Sequence, residues 1–593
     1  MIVFRKQERL EDPQYAVNRI VRLLEAAQRD PSHANIVELV IEYGEFESAA
    51  ADVLLPEKDD IGPEIAMLRE TALLLGRIFC KSWMLLSGPG KTPAARRGEL
   101  AELFARSAAA LRTLSRPDFL DSMHGSICLR FSEGFAHYGI FPETYVEAAR
   151  KFFAEDRPAS ATCIGLRSIG ACLSSIVGAA LAELGCTVRA LTVRPRGHPY
   201  DRYVKLAAGL EEYLLRNQKE FFVIVDEGPG LSGSSFASIA EHLRRLRIPD
   251  DKIVLFPCWE PDGSEFFSET AMQSWRRLKK CSATFEDTWT NTGRLAEGLP
   301  YTGLADISAG NWRQLICGGN GWPAVHPHHE QRKYICSGHQ DSRGGAGQRF
   351  LVKFAGLGRY GKKKFQRARN LADANFSMPA AGIANGFIIS SFAGGRPLAA
   401  ADLSAALIER MAQYLAFLKT RYPAEPDLSA AAMLQMVEIN AGEGLGKAWA
   451  RKTGRLAKMK GLLEGEAAEI DGRMLPHEWI LSEGRYLKAD ALDHHADQFF
   501  PKRQDIAWDI AGAAVEFGMD RAQIDFLLDR YAELSLDRSA AEKLPLYSIC
   551  YLAYRLGYSA LAEQSLTGTT DGRMFGILKS HYAKLLKKHL SAI

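Results

Sequence analysis

The stretch Phe221–Phe236, FFVIVDEGPGLSGSSF, decides how this chain is read. Its first five residues are aromatic and β-branched with no polar break, the composition of a strand buried on both faces of a parallel sheet. Asp226 and Glu227 end that strand. The loop GPGLSGSS supplies glycines that let the backbone turn its N–H groups inward. Ser232, Ser234 and Ser235 add hydroxyls at the start of the next helix, SFASIAEHLRRLR. A phosphate sits well on such a helix N-terminus. Two acids beside it suit sugar hydroxyls, so the residues point to a sugar-phosphate site. The plainer reading is a nucleotide-binding or merely tight strand-to-helix turn in an α/β domain.

The flanking sequence extends the pattern. Upstream, ATCIGLRSIGACLSSIVGAALAELG reads as a short strand, a tight turn through Arg167, Ser168 and Gly170, and a helix of small and apolar residues. The strand CTVRALTV follows, then RPRGHPYDR, a basic loop with Arg194, Arg196, His198 and Arg202. Downstream, DKIVLFPCW supplies another buried strand. Strand and helix alternate, which predicts a doubly wound parallel sheet with its ligand at the strand carboxyl ends.

This order resembles the type I phosphoribosyltransferases. The resemblance implies that Asp226 and Glu227 hold ribose and Mg²⁺, and that Gly230, Ser232, Gly233, Ser234 and Ser235 hold the 5-phosphate of phosphoribosyl pyrophosphate. It places the pyrophosphate on Arg167, Ser168 and Gly170. Arg194, Arg196 and Arg202 fall in the family's mobile catalytic loop, where a planar guanidinium neutralises the leaving group. The segment SEGFAHYGIFPETYVEAARKFF stands where a hood over the site is expected, although core packing is the commoner fate of its aromatic residues.

A second constellation lies in the C-terminal half. QRFLVKFAGLGRYGKKKFQRARNLADANF places Lys353 inside an apolar strand, where an ammonium needs a partner. GFIISSFAGGRPL reads as a hinge strand and a Gly turn. DGRMLPHEWIL, GRYLKADALDHH and QDIAWDIAGAAVEFG follow after a largely helical stretch. This order resembles the aminoglycoside phosphotransferase and choline kinase branch of the protein-kinase-like fold, most specifically through DIAWDIAGA.

The resemblance makes Lys353 the ATP lysine, Asp490 the metal-binding acid, and Asp505 and Asp509 the acids of the helix opening. Its H-G-D-x-x-x-x-N catalytic loop has no direct counterpart, so Asp471 is taken as the base and His477 as the metal-binding substitute for Asn. No acid is obvious in the KKKFQRARN helix to pair with Lys353, and Glu330 is a candidate substitute. The histidines of VHPHHE (His326, His328, His329) read as a solvated loop or phosphate contact. His494 and His495 lie close to the metal acid. SGHQDSRGGAGQ reads as a flexible hairpin or a nucleotide-covering loop.

The whole predicts a multidomain α/β and α+β protein. A helical N-terminal module spans 1–125, a phosphoribosyltransferase-like domain with hood 126–290, and a bilobal kinase-like domain 300–593, its N-lobe about 305–395 and its C-lobe about 396–593. The 593 residues suit three or four domains. With 74 basic against 71 acidic residues there is no global field for nucleic acid or an anionic membrane. Ten scattered cysteines without C-x-x-C indicate free thiols and a reducing compartment, hence a cytoplasmic protein with no membrane partner.

The expected function is a two-headed transferase: phosphoribosyl transfer, plus ATP- and Mg²⁺-dependent phosphorylation of a small molecule. The alternatives are a sensor or regulator with silent domains, and a small-molecule or protein kinase with a scaffold transferase fold. The acceptors and any homo-oligomer are left open.

Overall fold

The computed structural model describes the chain except residues 2–7, 87–93, 231, 265, 267, 298, 300–301, 318–321, 339–347, 498 and 593. Most of SGHQDSRGGAGQ therefore lies outside the described residues. No described helix is long and apolar enough to cross a membrane.

The N-terminal module is a bundle of α1 (Pro13–Arg29), α2 (His33–Leu54), α3 (Pro63–Leu86) and α4 (Ala94–Leu114). Asp12 caps α1 by accepting from the Gln14 amide, with Pro13 in the first turn. The module is not purely helical. Strand β1 (Glu8–Glu11) pairs antiparallel with β2 (Ile127–Arg130), so a ladder crosses the expected boundary near 125. The short α5 (Pro117–Asp121) and α6 (Pro142–Asp156) complete this region.

Helix α2 is the unusual element. Every residue from Ile36 to Ala51 is buried, four glutamates included. A buried carboxylate needs a cation, and each has one: Glu38 pairs with Lys362, Glu42 with Arg19 and Arg359, Glu45 with Arg359, and Glu47 with Arg69.

The next unit has the expected parallel sheet. Strands β3 (Ser160–Leu166), β4 (Thr187–Val193), β7 (Phe221–Val225), β8 (Ile253–Phe256) and the short β9 (Lys279–Lys280) lie in the order β4-β3-β7-β8-β9. In sequence order of these parallel strands that is 2-1-3-4-5, with its switch point between β3 and β7. The basic segment folds as a hairpin, β5 (Arg196–His198) and β6 (Asp201–Tyr203), rather than an open loop. Helix α7 (Ile169–Glu183) covers one face; α8 (Ala208–Arg216), α9 (Ser234–Arg245) and α10 (Glu269–Arg277) belong to the other.

After the short α11 (Arg294–Glu297), strands β10 (Thr302–Asp306), β11 (Lys333–Ser337), β12 (Arg349–Phe354), β13 (Ala380–Ala384) and β14 (Phe387–Ser391) form an antiparallel sheet ordered β10-β11-β12-β14-β13. Helix α12 (Trp312–Ile316) lies between β10 and β11, and α13 (Arg359–Asp373) between β12 and β13. The C-lobe holds α14 (Ala405–Arg421), α15 (Ala430–Leu445), α16 (Lys447–Thr453), α17 (Ala507–Glu516), α18 (Arg521–Ser535), α19 (Ala540–Ser565) and α20 (Thr570–Ser591). It also carries a small sheet built on Trp479–Ser482 and Arg485–Lys488.

One apolar core runs from Ala16 to Ile389, through the bundle, one face of the parallel sheet and the antiparallel sheet. Phe141 sits at its junction, with ring centroids 4.8 Å from Phe285, 5.6 Å from Trp289 and 5.5 Å from Phe354. The three units are thus one packed body rather than beads on a string.

Arg359→Ala would leave Glu42 and Glu45 short of a cation, a loss of about 3 kcal/mol for a broken buried pair. Hydrogen exchange should then speed up in α2 and α13 together; faster exchange in α13 alone would show that α2 does not depend on the pair.

Candidate functional site

At the switch point, Asp226 and Glu227 follow the last residue of β7, and the Tyr145 hydroxyl donates to the Asp226 carbonyl at 2.7 Å. Gly170, in the first turn of α7, lies so close that an added Cβ would meet the Val225 carbonyl at 2.6 Å and the Asp226 carboxylate at 3.1 Å. Only glycine lets that helix end approach the acids. Burial pushes the Asp226 carboxyl up to about 7 and the Glu227 carboxyl up to about 8, the latter helped by Asp226 and Glu133. Neither acid forms an ion pair among the described residues.

Gly230 and Gly233 take positive φ, as the turn requires. Ser234 begins α9 and its hydroxyl donates to the Pro199 carbonyl at 2.6 Å, tying the loop to the β5–β6 hairpin. Ser232 and Ser234 hydroxyls lie 2.9 Å apart.

The expected basic residues are placed differently. Arg167 does not face the site: its side chain is fully buried, ion-paired to Asp59 and 3.4 Å from Asp52. Arg194 is held by Asp52 and by the Arg167 carbonyl. Arg196 donates to the Pro56 carbonyl at 2.8 Å. Arg202, which donates to the Pro195 carbonyl at 3.3 Å, is the arginine whose charge acts most on Asp226. The reason is one that a local reading misses, since Asp52 and Asp59 come from the end of α2 and the segment after it.

In the C-terminal half, Lys353 on β12 donates to Asp490 at 2.6 Å. Burial opposes the ammonium, yet Asp490 and Asp493 raise it above its usual value. Glu330 is not its partner, being engaged by Lys333 at 2.9 Å and the Trp312 indole at 3.0 Å. In place of a helix acid, α13 presents Lys364, which binds Asp493 at 2.6 Å and the Ala136 carbonyl at 2.9 Å.

The loop at Asp471 corrects the expected base. Asp471 and Gly472 donate their amides to Asp509 on α17, at 2.7 and 2.8 Å. Burial pushes the Asp509 carboxyl up to about 7. The Asp471 side chain is fully buried, accepting from Tyr414 at 2.6 Å with Lys488 3.2 Å away. Burial alone would raise it, but Lys488 and His494 hold it below the usual carboxylate range. It cannot reach an acceptor.

The segment Asp471–Glu478, DGRMLPHE, has the spacing of H-G-D-x-x-x-x-N. Laid on the motif that the resemblance implies, Asp471 would fall at the His, Arg473 at the base and Glu478 at the Asn. That signal was present in the sequence but hidden by the reversed charge. His477 lies outside the buried donor group that Asp471, Glu478 and His494 form. Its ring stacks near Trp312 at 6.1 Å, and burial with the charges of Lys488, Arg555, Arg473 and Lys333 pushes it down to about 3.

A cavity of about 720 Å³ lies between the lobes, reached by Lys353, Arg473, Asp490, Trp322, His329 and Tyr558. The chain between β10 and β11 walls it, bound to the C-terminal helices through Arg313–Asp571 at 2.7 Å and His326–Ser565 at 2.9 Å. Of the VHPHHE histidines, His326 and His329 are drawn inward rather than solvated, while His328 is exposed. His326 stacks on His329 at 3.8 Å, and burial pushes them down to about 4 and about 3.

No family model and no curated protein matches this chain. Among solved structures it is similar to a choline kinase from Streptococcus pneumoniae, with 14% identity over 44% of this chain and 90% of that one, at a TM-score of 0.32. It is similar also to a Plasmodium vivax ethanolamine kinase (12%, 44% and 81%, 0.32) and to a macrolide 2'-phosphotransferase from Brachybacterium faecium (14%, 49% and 95%, 0.32). These similarities concern a kinase-like fold over about half the chain and lend no support to phosphoribosyl transfer.

Asp226 and Glu227 give a pH signature. Their folded pKa values lie above the unfolded ones, so the folded chain holds extra protons between roughly pH 4 and 8. Their contribution to stability is complete at low pH and lost as pH rises through about 7 to 8. The thermal midpoint of Asp226→Asn/Glu227→Gln should therefore fall less than wild type between pH 5.5 and 8.5; parallel curves would refute the shifts.

Proposed function

We propose that the C-terminal half is an ATP-dependent phosphotransferase acting on a small molecule held in the interlobe cavity. The Lys353–Asp490 pair at the cavity is the observation that carries this reading. Asp490 is a quarter exposed and its second oxygen lies 3.8 Å from His494, so it would hold one Mg²⁺, which when bound would neutralise phosphate oxygens. Lys353 would bind the phosphates, and Arg473 would face the transferring group.

Phosphoryl transfer depends mainly on positioning and charge rather than on covalent help from the protein. Arg473 in the base position therefore suits transfer to an acceptor oxygen that is already ionised. A hydroxyl acceptor would have to lose its proton elsewhere.

For the parallel-sheet half we propose binding of phosphoribosyl pyrophosphate with Mg²⁺. The support is local: two desolvated, unpaired acids at the switch point, a close-approaching helix end at Gly170, and the Gly230–Ser235 turn. A cation fits there, because it would relieve the mutual repulsion of Asp226 and Glu227. Anomeric transfer additionally requires Arg194 or Arg196 to leave its present partners. This specific feature, with Arg473, favours as the second reading a nucleotide-sensing protein with silent domains.

Calorimetry on the full chain tests both halves. ATP with Mg²⁺ should bind wild type and weaken at least about tenfold, or 1.4 kcal/mol, in Lys353→Met and in Asp490→Asn. Phosphoribosyl pyrophosphate should lose affinity only in Asp226→Asn/Glu227→Gln. Unchanged ATP affinity in both lysine and aspartate variants would sink the phosphotransferase reading. ATP binding without turnover, measured as ADP release, would select the sensor.

A further inference from the structure

Among the described residues, one set of donors could hold a metal ion. Oxygen atoms of Asp471 and Glu478 and a ring nitrogen of His494 all lie within 4.8 Å of one another, and all three residues are buried. Glu478 occupies the place of the metal-binding Asn in the kinase-like loop, and His494 stands between Asp471 at 3.7 Å and Asp490 at 3.8 Å. Kinases of this fold hold two Mg²⁺, one on the acid after the short strand and one on that Asn. Here the donor set is already filled from within.

The ammonium of Lys488 is fully buried among these groups. It lies 3.2 Å from Asp471, 3.1 Å from Glu478 and 3.0 Å from the Arg473 carbonyl. An ammonium has three donors, and these are its three acceptors. Lys488 and Asp490 are two residues apart at the end of the Arg485–Lys488 strand. One position supplies a cation to the loop, and the other a carboxylate to the cavity. A buried ammonium is tolerated only with such pairing, and two carboxylates so close are tolerated only with a cation between them.

We propose that Lys488 is an internal cation standing in the second metal position, so that this chain takes a nucleotide with at most one divalent ion, on Asp490. The residues fit one metal and do not fit two. Lys488 is a positioning residue: it holds the Asp471–Glu478 loop, and with it Arg473, in the geometry that a dissociable ion would otherwise set. The consequence for ATP rests on the phosphotransferase reading; the cation substitution itself does not.

The test uses the full chain and Mn²⁺ as the probe, counted by electron paramagnetic resonance with and without the β,γ-imido analogue of ATP. Wild type should bind no Mn²⁺ at the buried donor set and, beyond any ion that Asp226→Asn/Glu227→Gln removes, at most one in the presence of the analogue. Lys488→Ala, which leaves Asp471, Glu478 and His494 without their ammonium, should gain one Mn²⁺ per chain. Its thermal midpoint should be lowered and recover by several degrees with Mn²⁺, while wild type shows no such response. Glu478→Gln in the Lys488→Ala background should abolish the gain.

A second Mn²⁺ in wild type that Glu478→Gln removes would overturn the proposal. So would a folded Lys488→Ala that acquires no Mn²⁺. Should Lys488→Ala fail to fold, the wild-type count and its response to Glu478→Gln decide the question alone. Failure of the nucleotide analogue to bind would count against the phosphotransferase reading and leave the metal gain of Lys488→Ala to be judged separately.

Discussion

The burial of α2 is the constraint on which the rest of the structure depends. A helix hidden along its whole middle, with four glutamates inside it, cannot be solvated and has to be answered by cations from elsewhere. The answers come from both halves. Arg359 and Lys362, at the start of α13, meet Glu38, Glu42 and Glu45. Beyond the buried stretch, Asp52 and Asp59 hold Arg167 and Arg194 beside the parallel sheet. The same helix and the segment after it therefore hold the start of α13 on one side and Arg167 and Arg194 on the other.

What could be read from the sequence was what depends on neighbours in the chain. FFVIV is strand β7 because five apolar residues in a row need cover on both faces. The Gly/Ser turn before α9 and the lysine strand β12 follow from composition in the same way. DIAWDIAGA was found for a similar reason, although its meaning was not: Asp509 serves the backbone of Asp471 and Gly472, more than thirty residues upstream. The basic cluster was misread because arginine chemistry permits both phosphate and carboxylate partners. Only the fold shows that Arg167 ends against Asp59, more than a hundred residues away in sequence.

The cleft shows one regularity in its departures from the kinase pattern. Lys364 stands on the helix where an acid is expected, and it meets Asp493. Arg473 stands where the base is expected, and Asp497 lies 3.3 Å from it. Asp471 replaces a histidine, and Lys488 faces it. Each reversed position has a partner of the opposite sign. This is what electrostatics demands of a buried centre: a charge without an opposite partner is costly to keep out of water. A search for residue identities at motif positions would find only losses, while a search for pairs finds the network intact.

That inversion also bears on the chemistry. In the proposed phosphotransfer, Arg473 at the cavity would stabilise negative charge, while Asp471, held by Tyr414 and Lys488, would not be free to accept a proton. For a neutral hydroxyl the exchange is unfavourable, because deprotonation is then unassisted beside a guanidinium that repels the proton only weakly at a distance. For a carboxylate or phosphate oxygen no proton has to leave. In the proposed transfer the guanidinium would offset the repulsion between two anionic reactants as the new P–O bond forms and ADP departs. The physical cost of bringing two anions together dominates that second case, and an arginine held by Asp497 at the cavity is suited to lower it.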